Sequence, residues 1–298
     1  MGNKCNDLRN CHNSNSSVEY EKVVESIKFS KPIAAIKIQK AYRKYKSNKN
    51  HNIIINQLPI FLQFCHSFQP NNSLVQVRLI QDKIKEIGNF NYGNILNDGI
   101  KRELRRPQLI TGNDYFGFWN ISNNEPDGFG VMIMDTGSRY EGGFKNGKEN
   151  GLGRLIKVNG DVYIGFWKNG SFHGKGEYIY NDGSCYNGEF LNNLKEGYGI
   201  EKWADSTIYE GEFKTNQKEG KGRCIWPDQS EYIGHFFDDQ LQGQGLYKWK
   251  DGRQYDGEWQ NNKMNGRGQY IWANLKKYDG TFLNDKIDGY GTMIWFSN

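Results

Sequence analysis

The chain opens MGNKCNDLRNC, and three of these residues suit acylation. Gly2, exposed once Met1 is removed, is the residue type that accepts a myristoyl group. Cys5 and Cys11 are thiols that a palmitoyl group would esterify. One acyl chain holds a protein to a bilayer only marginally, so a second chain or a basic patch has to assist. Asn6 stands where the myristoylation pattern has Ser or Thr, and the alternative is a plain polar tail. Cys11-His12 offers two metal-ligating groups, too few for a site. The five histidines, His12, His51, His66, His173 and His235, are scattered without partners. No P-loop, C-x-x-C or H-E-x-x-H occurs. The G-x-G pairs precede no helix that would receive a phosphate, and Asp and Glu lie mainly at loops and outward strand positions. The expectation is a protein with no catalytic residues, no cofactor, no metal and no nucleic-acid partner.

A second stretch, KPIAAIKIQKAYRKYKSNK over residues 31–49, has recognition chemistry. Pro32 suits the first turn of a helix. Ile33, Ile36, the Ile38/Ala41 pair and Tyr45 recur at helical spacing among lysines. A basic amphipathic helix of this kind fits a calmodulin-like groove or a membrane surface. The pattern A-A-x-x-I-Q-x-x-x-R resembles an IQ motif, which implies binding of calmodulin or a related EF-hand protein. Ile38 would be the apolar anchor, Gln39 would hydrogen-bond the partner's backbone, and Arg43 would meet acidic or carbonyl groups. Tyr42, Lys44 and Lys46 complete the candidate contact set. The glycine usual after the arginine is replaced by Lys44, and the later basic position falls on Asn48. The bland alternative is a helix packed on the rest of the chain.

Net charge divides sharply. Residues 1–113 carry +10 and residues 114–298 carry −5. The basic arm therefore reads as a segment for an acidic partner or an anionic surface. Five cysteines, odd in number and without a framework, fit a reducing compartment. No apolar signal segment follows Met1, and the longest apolar stretch, residues 53–68, is interrupted by Gln57, Pro59, Gln63 and His66. The expected location is cytoplasmic, with the inner plasma-membrane face, cell cortex or cilium as addresses.

What positions all this is a repeat. The segment YEGGFKNGKENGLGRLIKVNGDV starts at Tyr140, and its frame restarts at Tyr163, Tyr186, Tyr209, Tyr232, Tyr255 and Tyr278. A looser copy at Tyr115 has two extra loop residues. Fixed-period self-similarity predicts stacked units, each stable only against its neighbours. Alternate strand residues share a face, so Tyr140, Gly142 and Phe144 face one way, as do Tyr163, Gly165 and Trp167. The same frame puts Tyr186 with Phe190, Tyr209 with Phe213, Tyr232 with Phe236, Tyr255 with Trp259 and Tyr278 with Phe282. Trp203, Trp226, Trp249, Trp272 and Trp295 form a 23-residue ladder on that face. Rings and glycines sharing a face predict that each ring lies over bare backbone. Asn159-Gly160, Asp182-Gly183 and Asp251-Gly252 read as tight hairpin turns, and the 145–150 stretch as a longer polar loop. Sixteen strands at roughly 4.8 Å each would extend about 75 Å.

The pattern Y-x-G-x-[FW]-x-[ND]…G-x-G…[WY]-x-[DN]-G resembles the MORN (membrane occupation and recognition nexus) repeat, over about 60% of the chain. Ser206, Gln229 and Leu275 depart from it at the turn glycine, and Lys157 at the Trp position. The resemblance implies a mostly β fold, an elongated single-layer antiparallel array of about eight hairpins preceded by a small helical region. The expected division is a tail (1–30), an IQ-like helix (31–50), a helical linker or cap (51–106) and the array (107–298). The resemblance also implies a scaffold that docks unidentified protein partners. Direct phosphoinositide binding by the repeats is the alternative, and a passive spacer a third. The array's −5 charge argues against unaided binding to anionic lipid. Helix spacing over 74–87 predicts part of a cap over the first strand, and an uncovered last strand predicts self-association as a homodimer.

Overall fold

The computed structural model describes residues 74–88, 90, 98–273 and 276–296. One helix, α1 (Leu74–Ile87), is followed by two short strands, β1 (Arg102–Leu104) and β2 (Gln108–Ile110). Sixteen further strands follow in hairpin pairs. They are β3 (Asn113–Asn120) with β4 (Glu125–Ile133), β5 (Arg139–Lys145) with β6 (Lys148–Ile156), β7 (Val162–Lys168) with β8 (Ser171–Ile179), and β9 (Cys185–Leu191) with β10 (Leu194–Lys202). Then come β11 (Ile208–Lys214) with β12 (Gln217–Ile225), β13 (Glu231–Phe237) with β14 (Gln240–Lys248), β15 (Gln254–Gln260) with β16 (Lys263–Trp272), and β17 (Lys276–Leu283) with β18 (Lys286–Trp295). From β3 onward each strand pairs antiparallel with its sequence neighbours, giving one open 18-stranded sheet, the mostly β single-layer array expected. Among the described residues no helix is long and apolar enough to cross a membrane.

The turns reverse one expectation. The tight two-residue turns lie inside the repeats from the second onward, as at Asn146-Gly147 (φ 50° and 74°) and Asn169-Gly170 (φ 52° and 85°). Positive φ at both positions matches the right-handed strand twist. Later repeats use Asn, Asp or Thr there, as at Thr215-Asn216 and Asp238-Asp239. The second of these side chains clips its turn onto the preceding repeat: Asn216 Oδ1 accepts from Lys195 N–H at 2.8 Å, and Asn216 N–H donates to Lys195 O at 3.0 Å. Asp239 and Asn262 do the same against Lys218 and Leu241. The Asn159-Gly160 type of loop is instead the wider one between repeats, closed by Gly160 N–H to Lys157 O at 3.0 Å with Gly160 at φ 91°. The expected polar loop at 145–150 is mostly strand. Each first strand there meets a β-bulge: Gly142 pairs with Gly153 and Phe144 with Glu149, so Gly143 stands against three residues.

The first edge strand is covered by strands rather than by a helical cap. β1 pairs with the C-terminal half of β3 and β2 with its N-terminal half. Arg102 secures β1 through Asp127 (2.6 Å) and Asp98 (2.7 Å). The helix α1 lies instead on the face opposite the rings. There Ile80, Ile84 and Ile87 pack with Ile156, Val162, Ile164 and Ile179. A buried charge network anchors its end: Arg154 donates to Gly88 O at 2.7 Å and to Glu141 at 2.5 Å, and Arg139 donates to Glu141 at 2.6 Å.

Candidate functional site

The ring face is built one repeat at a time. In the repeat starting at Tyr209, Gly211 and Gly222 are cross-strand partners, and the tyrosine ring lies over both. A Cβ on Gly211 would sit 2.5 Å from the Tyr209 oxygen, and one on Gly222 would sit 2.5 Å from that oxygen and 2.6 Å from the ring. Neither distance is sterically possible, so only glycine admits the ring. The tyrosine hydroxyl then donates to the carbonyl that the bulge turns inward, Tyr209 to Glu212 O at 2.9 Å and Tyr140 to Gly143 O at 2.8 Å. Tyr163, Tyr186, Tyr232 and Tyr255 make the same bond. Burial pushes all six of these hydroxyls above the ordinary tyrosine value.

Repeats are joined by edge-on ring pairs. Tyr140 meets Phe144 of its own repeat at 5.1 Å and Trp167 of the next at 4.9 Å, both near perpendicular. The series continues through Tyr186 with Phe190 and Phe213, Tyr209 with Phe236, Tyr232 with Trp259, and Tyr255 with Phe282. Such geometry contributes roughly 0.5–1.5 kcal/mol per pair beyond burial. Tyr278, in the last repeat, is buried, and its hydroxyl has no hydrogen-bond partner among the described residues.

Beside this buried row runs a partly buried one. Trp203, Trp226, Trp249 and Trp272 pack against the core from its rim, and Tyr180 holds the same place one repeat earlier. Trp226 stacks on Tyr247 at 5.2 Å. Cations lie over three of the indoles: Lys218 on Trp203 at 5.0 Å, Arg253 on Trp249 at 5.3 Å and Lys276 on Trp272 at 4.4 Å. The loops after Trp203, Trp226 and Trp249 each carry an aspartate bonded to its own turn. Asp228 accepts from Ser230, Asp205 from Thr207 and Asp251 from Arg253. Those bonds hold all three carboxyls below the usual aspartate value. The row therefore presents indoles, three of them capped by cations, bordered by the carboxylates of Asp205, Asp228 and Asp251. Trp295 differs, being 70% exposed on the last strand.

A shallow groove of about 520 Å³ lies between the repeats at Tyr140 and Tyr163, where Lys145, Lys168, Asn146, Asn150, Asn169 and His173 line it around Trp167. Among the described residues no group of three or more His, Cys, Asp or Glu converges as a metal site. His173 and His235 stand in different repeats. The candidate calmodulin contacts Ile38, Gln39, Tyr42, Arg43, Lys44 and Lys46, and the candidate acylation residues Gly2, Cys5 and Cys11, lie outside the described residues. Sequence reasoning missed the clipping residues Asn193, Asn216, Asp239 and Asn262. Their signal was an Asn or Asp recurring every 23 positions.

The family model for the MORN repeat matches eight consecutive segments, 115–139, 140–162, 163–185, 186–208, 209–231, 232–252, 255–275 and 278–298. The chain belongs to the MORN-repeat family. The boundaries of its MORN repeats follow the hairpin pairs seen here, the first being longer because residues 121–124 widen its turn. No curated protein matches the chain. Among solved structures, the MORN-repeat chain is similar to the SAS-4 TCP domain of Drosophila melanogaster in complex with a proline-rich motif of Ana2. There the identity is 13%, with 55% of this chain and 81% of that chain covered and a TM-score of 0.32. It is also similar to the TCP10 domain of Danio rerio CPAP, at 10% identity over 65% and 100% of the two chains, with a TM-score of 0.34.

Proposed function

We propose that this MORN-repeat protein is a non-enzymatic scaffold whose array docks protein partners along the partly exposed tryptophan row. The observation that carries this reading is the row itself: Trp203, Trp226, Trp249 and Trp272 recur at one place per repeat, each partly open at the rim of the core. Tryptophan is the residue type most enriched among the few that dominate binding energy, and a rigid sheet presents these indoles with little ordering cost. The test is capture by the full chain compared with its Trp226→Ala/Trp249→Ala variant. The variant keeps the near-ultraviolet signal of the buried tyrosine row and loses the proteins that the native chain retains. Identical capture would remove the row from the function.

The N-terminal arm supplies the address and the calcium sensor. Residues 31–49 bind calmodulin or a related EF-hand protein, and acylated Gly2 with Cys5 or Cys11 holds the chain to a membrane or the cortex. The +10 charge of residues 1–113 and the IQ-like pattern support this. Titrating purified calmodulin against the full chain and its Ile38→Asp/Arg43→Glu variant, with calcium and with chelator, tests the first part. Localising native and Gly2→Ala chains tests the second. The lysine-lined groove at Lys145 and Lys168 favours phosphoinositide binding as a second reading. Vesicles containing phosphatidylinositol bisphosphate, sedimented with the native chain and with Lys145→Glu/Lys168→Glu, separate the two. Among the described residues the outer edge of β18 has no strand paired on it, and it exposes Ile287, Tyr290 and Trp295. A homodimer formed there would appear in sedimentation at micromolar concentration and disappear with Tyr290→Lys.

A further inference from the structure

We propose that residues 53–68 of this chain dock on the face opposite the rings, across β9 to β13, as a continuation of the surface that α1 already covers. This surface lies outside the docking row assigned above, on the other side of the sheet.

The α1 interface stops part-way along a longer apolar ridge. Under α1 the ridge is Ile156, Val162, Ile164 and Ile179. Cross-strand pairing carries the same row onward from Ile179 to Cys185, then Lys202, Ile208 and Ile225. The parallel row runs through Ile200, Glu210, Arg223, Ile233 and Leu246. Here nothing covers the sheet among the described residues, and Ile233 is 45% exposed where Ile156 and Val162 are fully buried. The interspersed charges are already engaged. Arg223 pairs with Glu231 at 2.5 Å and Glu210 accepts from Tyr198 at 2.8 Å, while Lys202 also has a partner. A ridge whose charges already have partners calls for an uncharged, apolar occupant, because a charged one would lose hydration without gaining a partner.

Residues 53–68, IIINQLPIFLQFCHSF, have that character. They contain no Lys, Arg, Asp or Glu; Pro59 suits a first helical turn, and after it Phe61, Leu62, Cys65 and Phe68 recur at the spacing of one helical face. The lysine-rich stretch at 31–49 matches the ridge less well for the same electrostatic reason. Reach is sufficient. The five residues 69–73 that separate the segment from α1 extend to about 17 Å. Three strand spacings, from Ile179 to Ile208, are about 14 Å. Residues 59–68 as a helix are about 15 Å long, and the extended residues 53–58 before them cover the rest of the about 19 Å from β9 to β13. Chain direction agrees: after α1 the chain leads away toward the first repeat, through Gly88 on Arg154 and Phe90 in the cluster of Phe116 and Phe129. The later repeats are thus left free for what precedes α1.

The native thiol of Cys65 makes the test direct. In the full chain carrying Ile208→Cys, mild oxidation should link Cys65 to position 208 within one chain. That link should form at least tenfold faster than the link from Cys65 to position 292 in a Thr292→Cys chain, on the same face at the far end. Peptide mapping identifies the linked pairs, and a disulfide needs Cα atoms within about 7 Å. Equal rates at the two positions, or links only between chains, would overturn the proposal. A second measurement is hydrogen exchange of residues 53–68 in the full chain. Ile208→Asp with Ile225→Asp should accelerate it at least tenfold while the near-ultraviolet signal of the opposite face is unchanged. Unchanged exchange would overturn the proposal as well.

Discussion

Raising the pH should collapse the array cooperatively. Tyr140, Tyr163, Tyr186, Tyr209, Tyr232 and Tyr255 are fully buried, and burial raises each hydroxyl above its ordinary value. An unfolded tyrosine ionises near pH 10. Above that pH the unfolded chain releases protons that the folded array retains, so stability falls as pH rises. Each tyrosine contributes about 1.4 kcal/mol per pH unit, and six unfolding together contribute about 8 kcal/mol per pH unit. A domain stability of roughly 5–15 kcal/mol is then exhausted within about one to two units above pH 10. Tyrosinate absorbance and near-ultraviolet circular dichroism, followed together against pH, form the assay. The expected result is one steep, coincident transition, whose slope in unfolding free energy drops by about 1.4 kcal/mol per pH unit in Tyr209→Phe. The slope also reports how many repeats unfold as a unit. Tyrosines that ionise one by one near pH 10, with the circular dichroism retained, would refute the reasoning.

Two further perturbations have defined outcomes. Gln229 holds φ 72° where other repeats have Gly183 and Gly252 at about 90°. A side chain there costs about 1–2 kcal/mol, partly offset by the flexibility of glycine, so Gln229→Gly should stabilise by about 0.5–1 kcal/mol in thermal unfolding. At Glu141, burial opposes ionisation, but Arg139 and Arg154 outweigh it and hold the carboxyl below its usual value. That contribution is present above the ordinary glutamate pKa and fades as pH falls through the lower folded value. Arg154→Ala, which breaks the buried network, should cost about 3–5 kcal/mol and speed amide exchange in α1 relative to β13.

The repeat and its ring face were legible because aromatic and glycine positions recur with an exact period and strand alternation converts that period into a surface. The helix over 74–87 was legible for a similar reason, since its isoleucines follow a helical stripe. The location of that helix was not. Ile156, Val162, Ile164 and Ile179 alternate with inward residues as any outward strand positions would, and nothing in their types announces a covering helix. The turns were exchanged because both hairpin ends carry Asn-Gly or Asp-Gly. What separates them is the bulge, which absorbs Asn150 to Leu152 into the strand and leaves only two residues for the turn. The roles of Asn216 and Asp239 were hidden for a further reason: a side chain that bonds to the preceding repeat looks, in one repeat alone, like any polar turn residue.

Each tyrosine ring occupies the space of two missing side chains, and a double-mutant cycle measures this. Gly222→Ala would place a Cβ 2.5 Å from the Tyr209 oxygen. With Tyr209 present the substitution should cost about 3 kcal/mol; in a Tyr209→Ala background it should be neutral or slightly stabilising, a coupling of about 3 kcal/mol. Effects that add within about 0.5 kcal/mol would contradict the claim.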